Sequence, residues 1–77
     1  MDGRRVTTRV EVLGPSGPSV AQAAAGKSGC ITWEPGTSIL AVTLATRERA
    51  IGHASLMCEA AIRSGLLGCR WDGVRAL

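Results

Sequence analysis

Residues 5–13 alternate between two kinds of position. Val6, Thr8, Val10 and Val12 fall on one side, and Arg5, Thr7, Arg9 and Glu11 on the other. A period of two built on β-branched residues predicts a half-buried strand. Gly14-Pro15-Ser16-Gly17-Pro18 ends it, because prolines give a ladder no N–H. Ser19 then reads as the N-cap of a short helix over 20–25, rich in alanine, the strongest helix former. Gly26 stands where a helix-terminating glycine belongs, and Lys27 lies near the negative end of the helix dipole.

A second strand is expected over 30–34, with Ile31 and Trp33 on one face. Pro35-Gly36 makes a turn, and residues 38–45 form a third strand. Leu40, Val42 and Leu44 face one side of it; Ile39, Ala41 and Thr43 face the other. Two strands this close in sequence predict an antiparallel hairpin. Thr46 caps a long helix over 47–64, closed by Gly65. At 100° per residue, Ala50, Ile51, Ala54, Met57, Cys58, Ala61 and Ile62 make one apolar stripe. A last strand is expected over 68–75, ended or folded back at Asp72-Gly73, a strong hairpin-turn pair.

The predicted order is β-α-β-β-α-β. This places the chain in the α+β class as a small ferredoxin-like sandwich, with an antiparallel sheet and both helices on one face. The competing layout is a one-helix meander in which residues 14–29 form a loop. Seventy-seven residues make a single small domain, residues 1–77, with a modest core.

Three cysteines, Cys30, Cys58 and Cys69, are odd in number and widely spaced. They indicate neither a disulfide framework nor a zinc site, and fit free thiols in a reducing cytosol. Oligomerisation is then the expected support for so small a core. The opening stretch MDGRRVTTRV lacks an apolar signal region, and the longest apolar run is too short to span a bilayer. The expectation is a soluble, cytoplasmic protein with no membrane partner.

Residues 12–29, VLGPSGPSVAQAAAGKSG, resemble a phosphate-binding loop pulled apart. Such a loop needs a helix starting directly after the Lys-Ser pair. Here the helix signal comes before Gly26, and a strand signal follows Ser28. A nucleotide-binding enzyme is therefore the least favoured reading. His53, the single histidine, reads as a surface residue, and the glutamates show no paired spacing for acid–base work. No catalytic residues, metal or cofactor are expected.

The net charge of +3 rests on eight arginines and one lysine. Arg4, Arg5, Arg9 and Arg70 are candidates for a basic nucleic-acid surface, although Phe and Tyr are absent and Trp33 turns toward the core, which leaves no aromatic platform for bases. Ile39, Ala41 and Thr43 give the third strand a small, half-apolar open side of the kind that is often covered. With Leu56 they form the candidate interface. The favoured expectation is a small non-enzymatic binding, regulatory or assembly module that self-associates or meets a protein partner, with nucleic-acid binding as the alternative. RVEVLGPSGPSVAQAAAGKSGCITW is similar in layout to the first half of ACT-type regulatory domains. That resemblance implies a small-molecule site on the loop after the first strand, at Gly14, Ser16, Gly17 and Ser19, near a dimer interface.

Overall fold

The computed structural model describes residues 4–77. It is an α+β domain of four strands and two helices: β1 (Val6–Leu13), α1 (Gly17–Ala25), β2 (Ile31–Trp33), β3 (Ile39–Leu44), α2 (Arg47–Gly65) and β4 (Gly73–Ala76). The sheet runs β2-β3-β1-β4, and every neighbouring pair is antiparallel.

Alternation in β1 decides where the core lies. Val10 pairs with Leu40 of β3 and Ala76 of β4, and Val12 with Val74. Val10, Val12, Leu40 and Val42 are buried in one cluster with Val20, Ala21 and Ala24 of α1 and with Ala50, Ala54 and Cys58 of α2. Both helices therefore cover the same side of the sheet. Most helical residues in this cluster are alanines, so the helices sit close while the aliphatic bulk comes from the strands. Burying each Val or Leu contributes about 1.5–3 kcal/mol against a large entropic cost, which leaves such a chain marginally stable. Trp33 packs against the core at its edge, and its indole N–H donates to the Thr37 carbonyl at 2.6 Å.

The short first helix is present but starts earlier than the expected Ser19 cap. Pro18 stands in its first turn, where a missing N–H costs nothing. Ser16 is the N-cap, and its hydroxyl accepts from the Arg70 N–H (3.3 Å) rather than from the helix. The long helix keeps its expected start: Thr46 Oγ1 accepts from the Arg49 N–H at 3.1 Å.

The last strand departs most from expectation. It begins only at Gly73, and residues 69–72 lie outside it. The alternation of Cys69 and Trp71 resembles a strand, but this segment instead lies against the GPSG loop. The Ser16 N–H donates to the Arg70 carbonyl (3.2 Å), and the Asp72 N–H to the Leu13 carbonyl (2.8 Å). Asp72-Gly73 turns no hairpin, because Gly73, at φ +106°, leads straight into β4.

Two glycines allow close approaches in this loop, Gly14 to the segment before β4 and Gly17 to β1. A Cβ on Gly14 would lie 2.8 Å from Trp71 Cα, and one on Gly17 would lie 2.7 Å from the Val12 carbonyl oxygen. Gly52, inside α2, has open space around it. Gly14→Ala and Gly17→Ala should each destabilise the fold by about 1–3 kcal/mol. Gly52→Ala should stabilise it by about 0.5–1 kcal/mol. Urea unfolding followed by circular dichroism checks both directions, and equal effects at all three sites would contradict the close-packing account.

Candidate functional site

The side of the sheet away from the helices is uncovered among the described residues. Its side chains come from the odd-numbered residues of β1 and β3, with Thr32 of β2 and Arg75 of β4. Thr32, Ala41 and Arg9 form one row across the strands; Ile39, Glu11 and Arg75 form the next. Thr7 and Thr43 stand opposite each other, with their hydroxyl oxygens 2.8 Å apart.

The charges on this face cancel within it. Arg9 reaches past β3 and donates to both carboxylate oxygens of Glu34, at 3.0 and 3.2 Å. The small Ala41 beside it leaves room for that crossing. Glu34's hydrogen bond and charge push the Arg9 pKa further above its ordinary value. Arg75 donates to Glu11 on the neighbouring strand. Two cations and two anions thus form two pairs, between which Ile39 and Ala41 lie half-buried. Sequence reading missed both pairs, because Arg9 and Glu34 are 25 residues apart and Arg75 and Glu11 are 64 apart.

The candidate interface residues are not all on one side. Ile39, Ala41 and Thr43 share the open face, whereas Leu56 projects from α2 in the opposite layer, 57% exposed. The four candidate nucleic-acid arginines are also spread out. Arg5 precedes β1, and Arg9 is engaged by Glu34. Arg70 lies beside Ser16, beyond the far end of the strand, about 25 Å from Arg5 by strand rise. Arg4, next to Arg5, also has an interaction partner.

The GPSG loop is occupied by the chain itself. The backbone of Trp71 and Asp72 lies against Gly14, and Gly17 sits tightly against Val12. Ser16 uses both its N–H and its hydroxyl on Arg70. Ser19 is exposed on the first helix.

Gly26-Lys27-Ser28 closes α1 and clips the following turn onto α2. Lys27 Nζ donates to Ser64 Oγ at 2.5 Å, and Ser28 Oγ lies 2.8 Å from His53 Nε2 and 3.1 Å from Cys30 Sγ. His53 is therefore half-buried and bonded, not the free surface residue expected, because the turn after α1 comes back over α2. A serine and a histidine at this distance have the contact a hydrolase needs. A working nucleophile also needs its base oriented by a third group. Among the described residues no carboxylate bonds to His53, and no three His, Cys, Asp or Glu residues gather as a metal site.

The three thiols differ in their surroundings. Cys30 and Cys69 are partly exposed, while Cys58 is fully buried between the helices and the sheet. Burial pushes the Cys58 thiol from 9.0 up to about 11. The unfolded chain therefore releases this proton first as pH rises. Stability held below pH 9 should be lost between about pH 9 and 11, by an amount on the order of 2 kcal/mol. Cys58→Ala should flatten that alkaline limb. Denaturant titrations at stepped pH measure it, and an unchanged slope in the variant would assign the loss to other groups.

Among the described residues no helix is long and apolar enough to cross a membrane. No family model, no curated protein and no solved structure matches this chain.

Proposed function

We propose that this chain is a small non-enzymatic assembly or regulatory module that self-associates through the open face of its sheet. The order β-α-β-β-α-β, the strand order β2-β3-β1-β4 and two helices on one side support a ferredoxin-like reading of the domain. Sheets of this kind have one face left to cover.

The observation that carries the proposal is the internal cancellation of charge on that face. Arg9 with Glu34 and Arg75 with Glu11 leave it neutral, and the Thr7–Thr43 contact pairs its hydroxyls. A second copy can lie on such a surface without setting like charges against each other, and with few polar groups losing their partners. A nucleic-acid surface needs the reverse, cations open to phosphate. Arg9 is committed to Glu34, and Arg70 stands at the other end of β1.

Size sets the strength of the contact. Four short strands span roughly 20 Å by 20 Å, well below the roughly 800 Å² per partner of a standard stable interface. The association should therefore be weak and reversible. It should change little with salt, because the face has no net charge to screen.

Sedimentation velocity over the micromolar to millimolar range tests this. The expected result is a monomer–dimer equilibrium that Ala41→Glu abolishes and Leu56→Glu leaves intact. Leu56 is exposed and Ala41 faces the open side, where Glu would also compete with Glu34 for Arg9, and circular dichroism checks that each variant is folded. A monomer at every concentration, or a dimer lost only with Leu56→Glu, would reject the open face as the interface.

A further inference from the structure

The open face holds its charge in two separate pairs. Arg9 of β1 meets Glu34, just past β2, and Arg75 of β4 meets Glu11 of β1. All four side chains are open to water, from 31% for Glu11 to 64% for Arg75. A proton can therefore reach either carboxylate. The residues that β3 turns to this face, Ile39, Ala41 and Thr43, carry no charge, and neither does Thr32 of β2. Arg4 and Arg5 precede β1, and Asp72 precedes β4. Glu48 and Glu59 belong to α2 in the other layer, where Glu59 pairs with Arg63.

Losing these pairs means different things to the fold and to a contact between copies. In the monomer each pair stands in water, so breaking it costs the domain little. The core lies on the other side of the sheet. Between two copies the same pair is covered. A cation left there without its partner has lost water and gained no opposite charge, and the facing copy presents the same cation. Protonation of Glu11 and Glu34 leaves Arg9 and Arg75 uncompensated, two cations on each copy and so four at the contact.

We infer that the self-association of this chain is switched by protonation of Glu11 and Glu34: two copies meet while both are carboxylates and part when acid neutralises them. The switch rests on the open face being the interface, as proposed above, and adds what controls it. Proton uptake favours the separated copies. Association is therefore complete near neutral pH and is lost as pH falls through the carboxylate range, around pH 4. Salt changes little near neutrality, whereas in acid it screens the exposed cations and partly restores the contact.

Sedimentation velocity of the 77-residue chain at about pH 7 and about pH 3.5 tests the switch, with circular dichroism to check the fold at both. The expected result is a dimer about tenfold weaker, or more, in acid. The variant Arg9→Gln/Arg75→Gln carries two anions on each face near neutrality and none in acid. Its dependence should run the other way, from monomer to dimer as pH falls. The variant Glu11→Gln/Glu34→Gln should be monomeric already at neutral pH, which keeps the test decisive if acid unfolds the chain. Equal association of the unaltered chain at both pH values, with the fold intact, would overturn the switch and leave the interface standing. So would a glutamine-for-glutamate variant that associates as the unaltered chain does, or a folded arginine variant that stays monomeric in acid. An unaltered chain that is monomeric at every concentration near neutrality would overturn the interface itself, and the switch with it.

Discussion

The structure depends on the two-residue period of β1. Its even-numbered side chains from Thr8 to Val12 are buried while their backbone groups bond to β3. Its odd-numbered side chains stand on the open face while their backbone groups bond to β4. A slip of one residue would exchange Val10 and Val12 for Arg9 and Glu11 in the core, at a cost this small domain could not meet. The same phase sets Arg9 toward Glu34, Glu11 toward Arg75 and Thr7 toward Thr43.

What holds that phase is a close approach between the two ends of the chain. Gly14 lets the segment before β4 lie directly on the turn after β1, and Gly17 lets the start of α1 lie against Val12. The GPSG stretch, which resembles a ligand loop, thus acts as a clasp between the first strand and the last. The GKS stretch does the same for the helices, through Lys27 to Ser64 and Ser28 to His53. Both motifs supply backbone freedom and polar contacts, and in this chain those serve packing.

Local pattern made much of this legible. The faces of β1 and β3, the hairpin of β2 with β3, the Thr46 N-cap of α2 and the burial of Cys58 all follow from residues a few positions apart. By contrast, α2 runs through the Gly65 expected to close it and ends at Leu66. Residues 69–72 brace the GPSG loop instead of pairing as a strand, and only the tertiary partner decides between those two uses of an extended segment. The start of α1 was placed late because Pro18 looks like an interruption, although a helix's first turn accommodates it. The open face was recognisable through Ile39, Ala41 and Thr43, but its electrostatics were not. Arg9 and Glu34 share no local signal, and neither do Arg75 and Glu11. A count of arginines therefore keeps nucleic acid as an alternative, whereas their pairing favours a neutral surface. Leu56 was grouped with that face because exposure alone does not say which layer a residue belongs to.

A neutral, half-apolar sheet face suits a weak contact between copies. The claim that the open face joins two copies is tested most directly by mapping amide NMR shifts against protein concentration. Contact through this face would give concentration-dependent shifts at Thr7, Arg9, Thr32, Ala41 and Thr43, with α2 unchanged. Shifts confined to α2, or none as concentration rises, would contradict it.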